Sequence, residues 1–457
     1  MKLTELSRIV AGLHRGTEAE FCTVSIDTRT LKPGDLFIAI SGERFDGHDF
    51  VAQAAEKGAC AALVERTLDI DLPQVVVGDC RVALGQLGAA RRSASAAKVV
   101  GVTGSNGKTT AKEMVAAILG LQAPVLKTRG NLNNDLGVPL TLMELQAEHR
   151  YAVIEMGANH AGEIAYVAGL AKPDVALITN AGAAHLEGFG SREGVARAKG
   201  EMIAALGPDG VAILNADDVF IDLWRELAAN RPVITFGFGA NADVRGLTDT
   251  VKVRHDDGGF HTAFDYDHQG QTRSIRLRVA GRHNVANALA ATAVATALGI
   301  EPAQIAEGLA SVMPVAGRMQ PVMAQNGTLL INDTYNANPS SFQAALDVLC
   351  EMPGQPWVVL GTFGELGEDS ADLHAELGRQ ARARGVARLF ATGPFAERAV
   401  ETFGTGAAFY PELNQLVEQL KEDLREDAVV LVKGSRSQRM ERVIEALCCS
   451  TREPSCC

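Results

Sequence analysis

Lys98-Val-Val-Gly-Val-Thr-Gly-Ser-Asn-Gly-Lys-Thr-Thr110 is the stretch around which the rest of the chain is organised. Its first part, Val99–Val102, is a short apolar run rich in β-branched residues, which predicts a buried parallel strand. Gly104 and Gly107 then allow the backbone to turn tightly, and residues 110–119 have the apolar spacing of a helix. The order strand, glycine-rich turn, Gly-Lys-Thr and helix predicts a loop that cradles phosphate groups.

Each part of this loop has a chemical role in nucleotide binding. Backbone N–H groups and the helix N-terminus attract anionic oxygens, the Lys108 ammonium reaches the β- and γ-phosphates, and the Thr109 hydroxyl ligates Mg²⁺. The general pattern wants a glycine where Val102 stands, so the alternative is a glycine-rich turn that binds no ligand. The predicted nucleotide contacts in the loop are Thr103, Gly104, Ser105, Asn106, Gly107, Lys108, Thr109 and Thr110.

Length and composition exclude several classes of protein. The chain has 457 residues and a net charge of −12, which argues against a general nucleic-acid binder. No apolar run approaches the roughly 20 residues that span a membrane. The N-terminal MKLTELSRIVAGLHRG reads as an amphipathic helix without a signal core. We therefore expect a cytoplasmic protein that does not insert into membranes, with reduced cysteines and an incidental cysteine-rich tail.

Three segments with different patterns of predicted strands and helices indicate an α/β protein with three domains. The chain length agrees, since a domain typically has roughly 150 residues. Residues 1–83 alternate short strands and helices. Residues 84–313 hold the phosphate loop on a parallel sheet, and the β-rich stretch 243–279, with a hairpin turn at 256–259, predicts a small antiparallel extension. Residues 314–457 alternate strands and helices in a Rossmann-like series without a Gly-x-Gly-x-x-Gly turn, so a dinucleotide site is not expected there.

Polar residues follow the strands of the central segment. Glu155 ends the strand that begins at Tyr151, and His185 comes shortly after the strand 175–179. Since ligands of open parallel sheets bind beyond the carboxyl ends of the strands, both side chains are expected near the phosphate loop. A carboxylate there suits Mg²⁺, which prefers oxygen ligands. The alternatives are a solvated strand-end carboxylate and a structural histidine.

Five further loops are denser in hydrogen-bonding groups than a passing turn needs. Two lie in the first segment and offer hydroxyls, guanidinium groups and a histidine, which suit a diphosphate or uridine group. The others are rich in Asn or in cations, which suits directional binding of polar and anionic ligands. Surface turns are the alternative. The predicted substrate contacts are Thr28, Arg29, Arg44, His48, Asn131, Asn133, Asn134, Asn336, Asn338, Lys433, Ser435 and Arg436.

Seven motifs, which follow one another along the chain, resemble those of a known protein family. They are TGSNGKTT, GNLNNDLGVP, EMGANH, AHLEGFGS followed by AKGEM, GRHNVANALAA, NDTYNANPSS and LVKGSRS. The chain resembles the Mur ligase family across all three predicted domains. Within the family it is most similar to the branch that adds D-alanyl-D-alanine to UDP-N-acetylmuramoyl-tripeptide, because AHLEGFGS, NDTYNANP and KGSRS are specific to that branch.

The resemblance implies a reaction and its participants. The tripeptide carboxylate would attack the γ-phosphate of ATP to give an acyl phosphate, and the amine of D-alanyl-D-alanine would then displace phosphate. The implied cofactors are ATP and Mg²⁺. The implied partners are the two small-molecule substrates, with no nucleic acid and no membrane, and the enzyme is expected to act as a monomer. The third domain is expected to close on ATP and to bind the dipeptide.

The resemblance also implies roles for residues that the pattern alone does not single out. The implied catalytic residues are Lys108, Glu155, His185 and Lys199. Thr109 and Glu155 would hold one Mg²⁺, and Glu155 and His185 a second. Lys199, which by itself looks like a helix-surface lysine, matches a lysine that family members often carry as a carbamate and would then be a metal ligand. The implied nucleotide contacts outside the loop are Asn284, Asn287, Arg318, Asp333 and Tyr335.

The chain departs from the pattern of this branch at one visible position, and three alternative functions compete with this interpretation. The branch commonly has Gly-Asp-Met before its Glu-Leu-Gly, and here Thr362 replaces the Asp. The first rivals are a folylpolyglutamate synthase and a Mur ligase that takes another amino acid. The folate enzyme usually lacks a separate N-terminal uridine-nucleotide unit, which this chain has. The third rival is an ATP-switched binding protein that does not ligate.

Overall fold

The computed structural model describes residues 1–182, 186–256 and 259–448. In this part of the chain, strands form three sheets of five, ten and six strands that succeed one another along the sequence. Most strand pairs are parallel, with helices between consecutive strands. The predicted α/β class with a central parallel sheet and a Rossmann-like last sheet is confirmed. No helix in the described part is both long and apolar enough to cross a bilayer.

The first sheet has the order β1-β5-β4-β3-β2 and is parallel apart from β1, which runs antiparallel to β5. The predicted N-terminal helix is too long. It ends at Ile9, because the backbone turns at Ala11 with φ +49° and enters β1. The elements are α1 (Leu3–Ile9), β1 (Leu13–Arg15), β2 (Val24–Ser25), β3 (Leu36–Ile38), α2 (Val51–Glu56), β4 (Ala61–Val64), β5 (Gln74–Val76) and α3 (Cys80–Ser93).

The second sheet holds the phosphate-loop strand at its centre. Its elements are β6 (Lys98–Thr103), α4 (Lys108–Gly120), β7 (Val125–Lys127), α5 (Gly137–Met143), β8 (Tyr151–Glu155), α6 (Glu163–Ala171), β9 (Val175–Ile178), α7 (Leu186–Phe189), α8 (Arg192–Ala204), β10 (Val211–Asn215), α9 (Ile221–Ala228), β11 (Val233–Gly237), β12 (Val244–Gly246), β13 (Lys252–Asp256), β14 (Gly259–His268), β15 (Gln271–Leu277), α10 (Arg282–Ala297) and α11 (Pro302–Ser311). β6 lies between β8 and β9, so the loop that follows it opens in the middle of the sheet.

The antiparallel extension of this sheet is confirmed. β14 pairs antiparallel with β12, β13 and β15. Residues 257 and 258 of the predicted hairpin turn lie outside the described residues, but Asp256 pairs with Gly259 on either side of them. The short strands β7, β11 and β12 are additions to the predicted set.

The third sheet has the order β16-β17-β21-β18-β19-β20 and is parallel except for β16. This order places the carboxyl ends of β17 and β21 side by side. The elements are β16 (Gln320–Met323), β17 (Leu329–Asp333), α12 (Pro339–Glu351), β18 (Gln355–Gly361), α13 (Ser370–Ala383), β19 (Arg388–Thr392), α14 (Ala396–Phe403), β20 (Ala407–Tyr410), α15 (Leu413–Asp423), β21 (Ala428–Lys433) and α16 (Glu441–Leu447).

Helix α10 helps to position the phosphate loop. Most of its alanines are buried, and it packs against α4 and the central strands. Small side chains permit this close approach of backbones. The first turn of α10 therefore lies beside the start of α4, where the phosphate loop ends.

The predicted domain borders remain a prediction, although the sheets are compatible with them. The three sheets span residues 13–76, 98–277 and 320–433. The border at 313/314 falls between the second and third sheets. The border at 83/84 falls inside α3, whose residues Ala83, Leu84 and Leu87 belong to the hydrophobic cluster of the first sheet.

Candidate active site

A cavity of about 900 Å³ lies beyond the carboxyl ends of the central strands and is covered by loops of the third sheet. It brings together residues that are far apart in sequence and that were predicted as nucleotide or substrate contacts, catalytic residues or metal ligands. The predicted residues that line it are Ser105, Asn106, Gly107, Lys108, Thr109, Thr110, Asn131, Asn133, Asn134, Glu155, Asn284, Asn287, Arg318, Asp333, Tyr335, Asn336, Asn338, Lys433 and Arg436.

The phosphate loop requires glycine at two positions. Gly104 has φ +142°, and a Cβ there would lie 2.0 Å from Thr179 Oγ1. Gly107 has φ +83°, and a Cβ there would lie 2.3 Å from Asn287 Oδ1. Larger residues would therefore be both strained and obstructed. The glycines let the loop lie between the end of β9 and the start of α10.

Lys108 points back over its own loop. Its Nζ donates to the carbonyl oxygen of Gly104 at 2.7 Å and lies 3.4 Å from that of Ser105. Desolvation lowers the pKa of Lys108. An anionic ligand in the cavity would oppose this effect, because it favours the charged ammonium.

Glu155 and Thr109 form the oxygen-rich end of the cavity. The Thr109 hydroxyl donates to Glu155 Oε2 at 3.0 Å, and Asn133 Nδ2 donates to Oε1 at 2.9 Å. Arg318 Nη2 donates to the same Thr109 hydroxyl at 2.9 Å. The described residues contain no cluster of three His, Cys, Asp or Glu side chains suited to a metal. Hydroxyl and carboxylate oxygens nevertheless fit Mg²⁺, which typically uses one or two carboxylates together with substrate phosphates.

Lys112 is a residue near Glu155 that the sequence analysis missed. It is 1% exposed, and its Nζ lies 3.8 Å from Glu155 Oε2 and donates to the carbonyl oxygen of Thr128 at 2.7 Å. Lys112 is one helical turn beyond Lys108 and so lies on the same side of α4. The spacing alone does not show that this side is buried, so no local signal identifies the residue.

Lys199 is buried, in contrast to its appearance in the sequence. It lies on α8 and is 1% exposed, with its Nζ 5.2 Å from the centre of the Phe189 ring. Burial, with a smaller contribution from the positive charge of Lys108, lowers the pKa of Lys199 to about 7. A substantial fraction of the amine is therefore neutral near pH 7. His185, the other predicted catalytic residue on this side, lies outside the described residues.

The first turn of α10 presents two buried amides. Asn284 Nδ2 donates to the carbonyl oxygen of Ala280 at 2.7 Å, and Asn287 Nδ2 donates to Asn284 Oδ1 at 3.2 Å. His283, which the sequence analysis did not single out, also lines the cavity. Burial lowers the pKa of His283 to about 4, against the opposing effect of the Asp333 carboxylate. His283 lies in the motif GRHNVANALAA, which also contains both asparagines.

The third sheet contributes a buried ion pair and two guanidinium groups. Lys433 Nζ lies 2.5 Å from Asp333 Oδ2 and donates to the carbonyl oxygen of Asn336 at 3.1 Å. The Lys433 side chain is 1% exposed and that of Asp333 is 13% exposed. The guanidinium carbon of Arg318 lies 4.3 Å from the centre of the Tyr335 ring, and that of Arg436 lies 6.0 Å from it. This side of the cavity is suited to anionic ligands.

Asn338 contacts the phosphate loop directly. Its Nδ2 donates to Asn106 Oδ1 at 2.7 Å, and Asn106 Nδ2 donates to the hydroxyl of Ser340 at 2.9 Å. Asn338 also caps α12 by accepting from the backbone N–H of Ser341. Its described contacts therefore connect the third sheet to the phosphate loop, a role that was not predicted.

Two other predicted contacts have structural roles. The hydroxyl of Ser435 donates to the carbonyl oxygen of Thr362 at 2.8 Å, and Ser435 does not line the cavity. Asn134 Oδ1 accepts from the backbone N–H of Gly137 at the start of α5, although Asn134 also lines the cavity. Both residues hold loops that carry other predicted contacts.

The four predicted contacts of the first domain do not line this cavity. Arg29 is exposed and forms an ion pair with Asp27, and Arg44 is exposed. Thr28 donates to Gln53 Oε1 at 2.7 Å. Both ring nitrogens of His48 are used within the domain, since Nδ1 lies 2.6 Å from Asp46 Oδ1 and Nε2 accepts from the backbone N–H of Glu65. His48 thus holds its loop in place.

Comparison with family models covers most of the chain. The model described as Mur ligase middle domain matches residues 102–295, and Mur ligase, glutamate ligase domain matches residues 317–436. The model described as Mur ligase family, catalytic domain matches residues 20–129.

Curated relatives match the chain over almost its whole length. A UDP-N-acetylmuramoyl-tripeptide–D-alanyl-D-alanine ligase of Escherichia coli K12 is 44% identical over 97% of this chain and 98% of its own. A protein of the same name from Bacillus subtilis is 37% identical over 93% of this chain and 92% of its own.

Solved structures agree with these relatives. A crystal structure of MurF from Acinetobacter baumannii superposes with a TM-score of 0.90 at 40% identity, covering 97% of this chain and 98% of that one. A Thermotoga maritima MurF ligase in complex with ADP gives 0.81 at 31% identity, covering 93% and 96%. A folylpolyglutamate synthase from Mycobacterium tuberculosis, with 82% and 94% coverage, gives 0.64 at 17% identity, which shows a shared fold alone. The chain therefore belongs to the Mur ligase family.

Proposed function

We propose that this ATP-dependent ligase joins D-alanyl-D-alanine to UDP-N-acetylmuramoyl-tripeptide, and so makes the pentapeptide precursor of peptidoglycan. The observation that carries the proposal is the cavity in which the phosphate loop and Glu155 face Lys433 and Arg436 of the third sheet. It offers one place for the phosphates of ATP and another for a second anionic substrate. Relatives that bear this activity in their names match 97% and 93% of the chain.

The first half-reaction brings two anions together. The tripeptide carboxylate attacks the γ-phosphate of ATP, so the site must neutralise negative charge where it develops. Lys108 supplies a cation from the phosphate loop, and Arg318 supplies a second from the third sheet. Thr109 and Glu155 would hold Mg²⁺, which when bound screens the phosphate charges. Asn284 and Asn287 would face the adenine.

The second half-reaction needs a bound amine and no water. The neutral amine of the dipeptide attacks the acyl phosphate carbonyl, the C–N bond forms, the C–O bond to phosphate breaks, and the proton lost by the amine leaves with the phosphate. Lys433 and Arg436 would bind the dipeptide carboxylate. The contacts of Asn338 and Ser340 with Asn106 hold the third sheet against the phosphate loop, which supports exclusion of water from the intermediate.

The first domain would bind the uridine-nucleotide end of the tripeptide substrate. Arg29 and Arg44 are exposed cations suited to its diphosphate, with Thr28 nearby and His48 holding the loop. We propose that the enzyme works as a monomer, because the residues of one chain line the cavity from both sides. The proposed location is the cytoplasm, where ATP is available to it.

Lys199 is proposed to carry a carbamate, as its resemblance to family members suggests. A neutral amine attacks CO₂ and loses a proton, which turns a buried cation into an oxygen ligand for Mg²⁺. The burial of Lys199 favours the neutral amine that this reaction needs.

We expect the enzyme equilibrated with ¹³C-labelled bicarbonate to show one carbamate carbon by ¹³C NMR. The signal should disappear in Lys199→Ala and persist in Lys252→Ala, which removes an exposed lysine on β13. A spectrum without a Lys199-dependent carbamate signal would contradict the modification.

The ligase proposal is tested by omitting each substrate in turn. Phosphate release is measured with ATP, UDP-N-acetylmuramoyl-tripeptide and D-alanyl-D-alanine, using both the diaminopimelate and the lysine forms of the tripeptide. We expect sustained release only in the complete mixture, with one pentapeptide formed per ATP consumed. Release that needs neither acceptor would instead support an ATP-switched binding protein, and release with glutamate in place of the dipeptide would support another ligase.

A further inference from the structure

The loop Gly361–Gly367, which follows β18, holds a backbone conformation that is unusual for its sequence. Glu365 has φ +61°, in the left-handed region that non-glycine residues seldom adopt. Its side chain lines the cavity described above. Strained residues of this kind persist where the surrounding structure imposes them, and they are concentrated at functional sites.

The residues around Glu365 are firmly held. The carbonyl oxygen of Thr362 accepts from the backbone N–H of Ser435 at 3.0 Å and from the Ser435 hydroxyl at 2.8 Å. The backbone N–H of Phe363 donates to His374 Nε2 at 3.0 Å, and the His374 ring lies 2.6 Å through Nδ1 from the carbonyl oxygen of Ser370. Phe363 is 1% exposed and packs edge-on against Phe342. The loop is therefore a rigid platform for Glu365.

This platform places a carboxylate in the same cavity as two cations from β21 and the loop after it. The bonds between Thr362 and Ser435 join the loop Gly361–Gly367 to the loop that carries Lys433 and Arg436. Glu365, Lys433 and Arg436 all line the same cavity. A short peptide has an amino end and a carboxylate end, and a cavity lined by a carboxylate and by two cations offers each end a group of opposite charge.

We propose that Glu365 is a specificity-determining residue that accepts an N–H hydrogen bond from the amino group of the dipeptide, while Lys433 and Arg436 bind its carboxylate. This inference rests on the proposed function. It also explains how the third sheet selects the amine substrate: the amino group is bound at one end and the carboxylate at the other, so a molecule with only one of these groups loses half of its contacts.

The test compares Glu365→Gln with Glu368→Gln, a matched control that removes an exposed carboxylate from the same connection. Michaelis constants are measured separately for ATP, the tripeptide substrate and D-alanyl-D-alanine. Glutamine keeps an oxygen that accepts a hydrogen bond but carries no negative charge, so KM for the dipeptide is expected to rise about 10-fold in Glu365→Gln. The KM values for the other two substrates should stay within about twofold of wild type, since they bind elsewhere. A dipeptide KM no higher than that of Glu368→Gln would overturn the assignment.

Glu365→Gly separates a binding role from a backbone role. Glycine adopts φ +61° without strain, so Tm should be equal to or above that of the wild type. We expect the dipeptide KM to rise as in Glu365→Gln, whereas a wild-type KM in this variant would reduce Glu365 to a backbone position and overturn the proposal. Failure of the wild-type enzyme to consume the dipeptide would remove the proposed function and this inference together. Consumption by the wild type with unaffected Glu365 variants would remove the inference alone.

Discussion

Lys108→Ala is expected to reduce kcat by at least about a thousandfold, because it removes the cation that the phosphate loop offers to the transferred γ-phosphate. No other group of the loop can replace it, since the backbone N–H groups of Gly107 and its neighbours carry only partial charges. The fold should survive the change. Lys108 Nζ donates to carbonyl oxygens of its own loop and forms no ion pair within the described residues, so its removal leaves no unpaired buried charge.

The measurement is ADP release in the complete substrate mixture, together with circular dichroism and the thermal transition. Lys98→Ala is the matched control. Lys98 is an exposed lysine at the opposite end of β6, where it forms an ion pair with Asp174. The control should keep near-normal turnover. Equal turnover in Lys108→Ala and wild type would show that the loop does not act on phosphate.

The phosphate loop was predictable because its constraints are local. Gly104 and Gly107 both have positive φ, and glycine is the residue that adopts such backbone conformations without strain. The apolar run before them and the helical spacing after them depend only on neighbours in sequence. The carboxyl-end rule for parallel sheets then placed Glu155 beside Thr109, where the structure has it at hydrogen-bond distance.

The burial of lysines was not predictable, since it depends on which elements meet. Lys199 has charged neighbours in sequence and looks like a surface residue, yet α8 places it in the interior with the Phe189 ring over its ammonium. Lys112 is buried against Glu155 for the same reason. A charged residue on a helix gives no local sign of which helix face will be covered.

Contacts between segments that are far apart in the sequence were also not predictable. Asn106 and Asn338 were both predicted to bind ligands, and each was judged by its own loop. Their direct hydrogen bond follows from the way the third sheet lies against the phosphate loop. Thr362, the visible departure from the branch, keeps the loop Gly361–Gly367 in place through a hydrogen bond from its hydroxyl to the carbonyl oxygen of Pro394. The threonine that stands in place of the usual Asp therefore has a role in the loop, although Thr362 does not line the cavity.

Lys433→Met is expected to destabilise the chain by about 3–5 kcal/mol, because it leaves the Asp333 carboxylate without its cation. That carboxylate is 13% exposed, and its other described partner is the backbone N–H of Met319 at 3.2 Å. One N–H group cannot replace a full charge at this depth. The matched control is Lys421→Met on α15, where the lysine is 45% exposed and its pair with Glu418 lies on the surface. A surface pair contributes about 0–1 kcal/mol, so this control should unfold close to wild type.

Asp333→Asn in the Lys433→Met background should recover much of the lost stability, because an amide needs no counter-charge. Activity should not recover, since Lys433 also faces the cavity in which the dipeptide carboxylate is proposed to bind. Differential scanning calorimetry is the suitable measurement, because a chain with several sheets need not unfold in one step and the transition that shifts can then be identified. A double variant no more stable than Lys433→Met would contradict the assignment of the loss to the unpaired carboxylate. A double variant with restored turnover would show that Lys433 acts through stability alone.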